Sequence, residues 1–312
     1  MKKILLATTL LASTATVASA ETGVTLSGYG RFGLEYLEGR AEETQVASRL
    51  RFNIDGKTET DSGVTFGGRL RLQSTDGGNG STNAAMFYAS YEGFRLEVGN
   101  SNTAYDSAGL IYAPEMGFQD SSYGDPQGSF FAYDSVANVG GLSDEAVGVF
   151  ASYSMGDFTG RISVVDTDQK TGAAGKESEV SVSFDYASGP FAVSLAAYQD
   201  GAGIAGNDGF FLGAAYTVND AATIGLNYLD EGTYVSGGVA DDARTITLYG
   251  NYTMGATTLR AYVANNDHAG NVKDTSYGIG ADYDLGGARL SGSIQKGYAD
   301  QTYADVGVRF DF

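Results

Sequence analysis

The feature that most constrains this chain is a regular alternation of apolar and polar side chains. The last ten residues show it clearly, because every second position is apolar: Ala304, Val306, Val308, Phe310 and Phe312. Successive side chains of a β-strand point to opposite faces. Each such segment therefore presents hydrocarbon to one side of a sheet and polar groups to the other.

Sixteen segments with this alternation follow one another from Val24 to Phe312. A period of two residues indicates β-strands. Short connectors, such as residues 155–157, alternate with longer polar ones, such as residues 74–82 and 230–242. Short turns at one rim and long loops at the other are typical of membrane barrels. We therefore predict an all-β fold, a 16-stranded antiparallel transmembrane β-barrel, rather than a soluble sandwich.

Composition narrows the function classes. The chain has 45 Gly, 21 Tyr and 16 Phe against three Pro, which favours many strands joined by tight turns. It has no Cys, so disulfides and thiolate sites are excluded. Its net charge of −19 would repel phosphates, so we expect no nucleic-acid partner. The same acidity predicts a mild cation preference for any pore that the barrel encloses.

The first twenty residues resemble a secretory signal peptide. Lys2 and Lys3 precede an apolar stretch, and small residues at positions 18–20 offer a cleavage site. We expect residues 1–20 to be removed and residues 21–312 to form a single barrel domain. No later stretch reaches 18 consecutive apolar residues, the length expected of a membrane-spanning helix.

One connector breaks the alternation, from Asn100 to Glu145. A structureless segment of this length inside a compact domain is usually functional or disordered. Its aromatic residues, which include Tyr105, Phe118 and Phe131, argue against disorder. We predict that this third long loop folds inward against the interior of the barrel.

Opposite charges mark the wall and this loop. Five arginines have inward-facing parity on the first three strands, and we call them the arginine wall: Arg31, Arg49, Arg51, Arg69 and Arg71. The loop carries acidic residues that include Asp106, Glu115, Asp120, Asp125 and Asp134. A solvated acidic loop is the alternative. We favour a pore constriction in which the acids face the arginines across water, because charged walls at a narrowing select among solutes.

Pairing the strands through their connectors predicts the heights of these arginines. Arg31, Arg51 and Arg69 are expected at nearly the same level, with Arg49 and Arg71 one step above. The remaining inward arginines, including Arg289 and Arg309, are expected nearer the rim of short turns.

Catalytic chemistry is not evident in the sequence. The only histidine, His268, lies in a polar loop, where a solvated role is expected. A serine hydrolase would need a serine and an orienting group beside it. We predict that the protein is not an enzyme.

Four segments resemble the general porins of alphaproteobacteria: GVTLSGYGRFGLEY, DSGVTFGGRLR, YDLGG and the final ADVGVRFDF. The resemblance is clearest at the two ends of the mature chain. It implies a 16-stranded trimeric porin with its third loop folded into the channel. It also implies an ion pair between the amino group of Glu21 and the carboxylate of Phe312. Calcium bound by loop carboxylates is a further implication, without assigned ligands, and no other cofactor is expected.

These observations together predict an outer-membrane porin for passive diffusion of small hydrophilic solutes and ions. A terminal aromatic strand resembles the signal by which outer-membrane barrels are recognised for insertion, so Phe310 and Phe312 are assigned to assembly. The expected partners are the other copies of a homotrimer, outer-membrane lipid and lipopolysaccharide, and the barrel-assembly machinery. The alternatives are a substrate-selective uptake channel or an outer-membrane enzyme or adhesin.

Overall fold

The structure is a computed structural model that describes residues 22–135, 147–169, 177–236 and 238–312. In these ranges, sixteen antiparallel strands form one closed sheet. The first eight are β1 (Gly23–Leu37), β2 (Thr44–Glu59), β3 (Thr65–Thr75), β4 (Ser81–Thr82 and Met86–Tyr91), β5 (Phe94–Gly99), β6 (Val147–Met155), β7 (Phe158–Asp166) and β8 (Glu179–Ser188). The others are β9 (Phe191–Gln199), β10 (Gly209–Asn219), β11 (Ala222–Ser236), β12 (Val239–Met254), β13 (Thr257–Asn266), β14 (Thr275–Asp284), β15 (Arg289–Lys296) and β16 (Thr302–Asp311). The predicted 16-stranded barrel is confirmed.

Strand β4 is counted as one because both of its pieces pair with β3. Asn83 bridges the interruption: its backbone N–H donates to the carbonyl of Arg71, and its side-chain oxygen accepts the N–H of the same residue. Backbone groups at the break are thus satisfied by a side chain, as buried polar groups require. The break lies beside the arginine wall.

The barrel closes between the last strand and the first. β16 pairs with β1 from Leu37 and Tyr303 to Tyr29 and Asp311. Beyond this ladder, Phe312 and Gly28 exchange two backbone hydrogen bonds of 2.7 and 3.0 Å. Closure removes the free edges that an open sheet would leave in lipid. Glu21, the expected ionic partner of Phe312, lies outside the described residues.

The apolar members of each alternating pair face outward. The exposed fractions of Val24, Leu226 and Ile279 are 76%, 50% and 61%, and all three residues lie in strands. Such a surface is unfavourable in water and favourable in lipid. Within the described residues, no helix is both long and apolar enough to cross a membrane.

One predicted loop is strand. Residues 230–242 were expected to be a long connector, because they contain several acidic and glycine residues. Instead, β11 and β12 pair as far as Ser236 and Val239, with a shift of register between Asp230 and Thr233. Strand pairing satisfies backbone N–H and C=O groups whatever the side chains are. The polar composition of residues 230–242 therefore does not exclude strand structure.

The interior holds residues 100–135 of the third long loop, as predicted, and residues 136–145 lie outside the described residues. Tyr105, Phe118 and Phe131 are buried between this loop and the wall, at 1%, 0% and 5% exposure. One hydrophobic cluster joins Tyr105 and Ile111 to side chains of β9, β10 and β11, and a second joins Met116 to β12 and β13. Burying this apolar surface holds the loop inside the barrel.

Candidate functional site

Small polar side chains on the wall receive the first part of the loop. The backbone N–H groups of Ala104, Tyr105 and Leu110 donate to hydroxyl oxygens of three serines on β7, β8 and β9 at 2.8 to 3.2 Å: Ser163, Ser181 and Ser194. Ordinary strand alternation points these serines inward. They give the loop backbone the partners that a neighbouring strand would otherwise supply.

Four wall carboxylates anchor the rest of the loop. Asp185 accepts the N–H of Gly109 at 3.0 Å, and Asp305 accepts that of Gln119 at 3.0 Å. Glu231 accepts two N–H groups, from Gln127 and Gly128, at 2.9 and 3.0 Å. Glu179 accepts the N–H of Phe131 at 2.6 Å. The five accepted N–H groups are spread from Gly109 to Phe131, so these side chains fix the path of the loop.

The sequence interpretation missed all four anchors. Asp185 and Asp305 lie at inward positions of β8 and β16, so their parity was available as a signal. Glu231 lies in the stretch that was assigned to a loop. Nothing in the sequence tells an inward carboxylate that faces water from one that binds backbone N–H groups.

The arginine wall forms a staircase rather than the predicted two levels. Arg31 lies directly opposite Arg49, whereas Arg51 faces Tyr29 and Gln73. Arg71 and Arg69 follow at successive lower steps, opposite Asn53 and Asp55. The predicted alignment of Arg51 and Arg69 with Arg31 was wrong because the register depends on the real lengths of β2 and β3, which are longer than the pattern indicated.

The row of Arg31 and Arg49 continues to the other side of the barrel seam. Arg31 also lies opposite Arg309, and Arg309 lies opposite Arg289. Arg289 is the first residue of β15, directly after a short turn, and Arg309 is close to the end of β16, so both lie near the rim of short turns as expected. Four arginines occupy directly opposed positions across β15, β16, β1 and β2. Like charges so placed are destabilising unless something compensates them.

Asp120 supplies compensation for two of these four. Its carboxylate forms a salt bridge to Arg289 at 2.6 Å and another to Arg309. Its neighbour Gln119 accepts a hydrogen bond from Arg31 through its backbone carbonyl at 2.7 Å. The loop therefore contacts the basic surface directly at this point, without an intervening layer of water.

Tyr29 organises the neighbouring guanidinium groups. The guanidinium carbons of Arg309 and Arg51 lie 4.3 and 5.0 Å from the centre of its ring. Arg49 donates to the phenol oxygen at 3.3 Å. Such cation–π contacts favour a fixed position of the cation over the ring. This tyrosine was not singled out in the sequence.

The other wall arginines have partners of two kinds. Arg69 forms a salt bridge to Asp55 at 2.7 Å. Arg51 and Arg71 both donate to the hydroxyl of Ser135, at 3.2 and 2.6 Å. Ser135 is the last described residue of this part of the loop, so the loop contacts the arginine wall here as well.

The other loop acids occupy different surroundings from Asp120. Asp106 accepts a hydrogen bond from the hydroxyl of Tyr112 at 2.6 Å, and Asp125 accepts the N–H of Ser122 at 3.0 Å. Burial raises the pKa of Asp106 and, more strongly, that of Asp125. Burial and then the charge of Asp125 raise the pKa of Glu115 well above its usual value. The backbone carbonyl of Asp134 accepts hydrogen bonds from Asn83 and Asn100.

A cavity of about 430 Å³ lies between the wall and the loop. Arg31 and Arg49 line it on the wall, and Ser121, Ser122 and Tyr123 line it on the loop. All of the residues that line it have polar or charged side chains, and they include Glu35, Gln119 and Tyr303. This is the candidate functional site.

His268 was expected to be solvated, but it is 1% exposed, and its Nδ1 accepts the N–H of Gly270 at 2.9 Å. For calcium, the residues that the structure describes contain no group of three or more His, Asp or Glu placed to hold a metal ion. The calcium expectation therefore has no ligand set in these ranges.

Comparison with known proteins agrees with the architecture. The family model described as Gram-negative porin matches residues 7–302. A porin from Fuscovulum blasticum is 47% identical over 296 residues, which cover 93% of this chain and all of that protein. A porin from Rhodobacter capsulatus is 28% identical over 315 residues, with 93% of this chain and all of that protein covered.

Solved structures give the same result. A structure of a variant of Rh. blastica porin superimposes with a TM-score of 0.87 at 47% identity, covering 93% of this chain and all of that one. A second structure, described as asymmetric conductivity of engineered proteins, matches with the same score, identity and coverage. The inward loop, the lipid-facing barrel and these likenesses lead to one conclusion: the chain belongs to the Gram-negative porin family and is a porin of the bacterial outer membrane.

Proposed function

We propose that solutes cross the barrel through the cavity between the arginine wall and loop residues 119–123. The observation that carries this proposal is the polar lining of that cavity on both sides, including Arg31, Arg49 and Ser122. Elsewhere along the loop, two hydrophobic clusters pack its side chains against the wall. A water-filled passage with charged walls admits small hydrophilic solutes and hinders apolar ones.

Passive diffusion is the form of transport that this route favours. A substrate-selective sugar channel would need aromatic side chains along the passage, but Tyr105, Phe118 and Phe131 of the loop are buried against the wall. They are therefore not available as a continuous stacking surface for sugars. We also propose that the protein carries out no catalysis and assembles as a homotrimer in contact with outer-membrane lipid and lipopolysaccharide, as the sequence resemblance implies.

A single-cysteine experiment tests the route, because the native chain contains no Cys. Ser122→Cys places one thiol on the cavity, and a charged, water-soluble thiol reagent can then be added to channels in a planar bilayer. We expect conductance to fall on modification. Ser62→Cys, at an exposed turn, is the matched control and should react without a comparable fall.

Two results would contradict the proposed route. In one, Ser122→Cys is modified, as mass spectrometry would show, and conductance does not change. In the other, the unmodified protein forms no channel in the bilayer. Uptake of neutral sugars of increasing size into liposomes separates general diffusion from selective uptake, since general diffusion depends on size alone.

A further inference from the structure

The arginines around the cavity differ in how their charge is compensated. Salt bridges in the described residues reach inward arginines that include Arg69, Arg95 and Arg260. In the same ranges, none of the salt bridges reaches four members of the arginine wall: Arg31, Arg49, Arg51 and Arg71. Their hydrogen-bond acceptors are neutral oxygens.

Arg31 and Arg49 retain unused hydrogen-bonding capacity. A guanidinium group has five N–H donors. Arg31 is 8% exposed and donates to the Gln119 carbonyl, while Arg49 makes a long bond of 3.3 Å to Tyr29. The Nε of Arg49 is buried and has no partner in the described structure. Arg31 and Arg49 are adjacent cations with neutral partners only in the described part of the chain. Binding of an anion beside them would be favourable, because an unpaired charge away from water is costly.

The cavity in front of them has room for that counterion. Its volume of about 430 Å³ exceeds many times the share of about 30 Å³ that one water molecule occupies in the liquid. Two carboxylates also line it, Glu35 and Asp76. Glu35 is engaged by Arg40 at 2.6 Å, and Asp76 accepts the N–H of Ser48 at 2.7 Å. Neither carboxylate forms a salt bridge with Arg31 or Arg49.

We propose that Arg31 and Arg49 form a binding site for small oxyanions, such as inorganic phosphate, and that the channel admits such anions in preference to cations. Guanidinium groups match the paired oxygens of phosphate and carboxylate in geometry as well as charge. The potential inside a narrow, low-dielectric cleft depends on the nearest charges more than on the net charge. The preference is thus opposite to that predicted from the overall charge of −19. This inference rests on the proposed route through the cavity.

Phosphate binding to the detergent-purified protein tests the site without relying on transport. Isothermal titration calorimetry with inorganic phosphate, against chloride at matched ionic strength, should show binding of phosphate. Arg49→Gln should weaken it by roughly tenfold, the size expected for one lost hydrogen bond between charged groups. Arg31→Gln and Arg49→Gln together should abolish it.

Arg95→Gln is the matched control, because it removes an inward arginine that Glu97 already neutralises at 2.6 Å. It should bind phosphate as the unaltered protein does. Circular dichroism of each variant shows whether the barrel is retained. Equal weakening by Arg95→Gln would mean that the effect is one of general charge, and the site would be wrong.

Planar-bilayer measurements separate this inference from the proposed function. Reversal potentials in a salt gradient should indicate anion preference, and added phosphate should reduce the chloride current in the unaltered protein but not in the double variant. Channels that conduct but prefer cations and ignore phosphate would overturn the oxyanion site while the porin route stands. Absence of any channel would instead contradict the route.

Discussion

Gly33 and Gly307 lie directly opposite each other across the seam between β1 and β16, and the ring of Phe118 fills the space that they leave. A Cβ atom on Gly307 would lie 2.6 Å from this ring, and one on Gly33 would lie 3.0 Å from it. The pair of glycines therefore forms a notch in the wall that receives the loop. Phe118 is completely buried there.

Removing the ring tests this notch. We expect Phe118→Ala to weaken docking of the loop by about 3 kcal/mol, the usual range for a buried Phe replaced by Ala. The barrel should remain folded, because its strands do not depend on the ring. Single-channel recordings should show larger or noisier currents. Phe87→Ala, on the lipid face, is the control; equal behaviour of the two variants would contradict a specific role for the notch.

The salt bridges of Asp120 should influence ion selectivity. Asp120→Asn leaves Arg289 and Arg309 without their loop carboxylate, so we expect reversal potentials to shift toward anions. The shift should shrink in 1 M salt, where the Debye length is about 3 Å. Asp106→Asn is the control, because Asp106 is bonded to Tyr112 away from these arginines. No difference between the two variants would show that Asp120 does not act on the permeating ions.

The anchoring role of Glu231 can be measured at the loop amides. Glu231→Ala removes the acceptor of two N–H groups, those of Gln127 and Gly128. A buried donor left unsatisfied costs about 1–3 kcal/mol, so hydrogen exchange at residues 127–128 should become faster. Glu92→Ala, at an exposed turn, should leave it unchanged. Unaltered exchange in the Glu231 variant would mean that the hydrophobic cluster alone holds this part of the loop.

Glu115 should make loop docking sensitive to pH. Burial, and then the charges of Asp125 and Asp120, raise the pKa of Glu115 above its ordinary value. A carboxyl whose pKa is raised on docking binds its proton more tightly when docked. Docking is therefore favoured at low pH and weakens as pH rises from the ordinary pKa, about 4.3, toward the raised one. We expect Glu115→Gln to raise the melting temperature of the protein more at pH 8 than at pH 4. An equal increase at both pH values would contradict this linkage.

Much of this fold could be predicted from the sequence because each membrane strand must turn apolar side chains to lipid. That requirement is local, so alternation alone located the strands and the inward parity of Arg31 and Arg49. The alignment of one strand with its neighbour is not local. A difference of a few residues in strand length placed Arg51 opposite Tyr29 instead of beside Arg31. The pairing of Arg309 with Arg31 likewise joins strands from the two ends of the chain.

The loop was predictable in its position and unpredictable in its contacts. Its aromatic residues indicated that it packs against the interior, as Phe118 and Tyr105 do. Which carboxyl group meets an arginine depends on the path of the loop backbone, and serines and carboxylates on distant strands set that path. Asp120 and Asp125 are five residues apart, yet one pairs with arginines and the other binds the Ser122 N–H.

Phe312 should be important for assembly of the barrel. Its backbone pairs with Gly28, and its ring lies 5.2 Å from that of Phe52 and 6.3 Å from that of Phe310, measured between centres. The ring of Phe310 in turn covers Gly30, where a Cβ atom would approach it within 2.4 Å. These aromatic residues cover the outer face of the closing seam, where glycine leaves the backbone without side-chain cover.

We expect Phe312→Ala to keep the backbone hydrogen bonds but to lower the amount of protein inserted in the outer membrane, with unassembled protein in the periplasm. Phe94→Ala removes a similarly exposed ring far from the seam and should assemble normally. Cell fractionation with heat-modifiability gels measures both variants, and equal outer-membrane levels would show that the terminal ring has no special part in assembly.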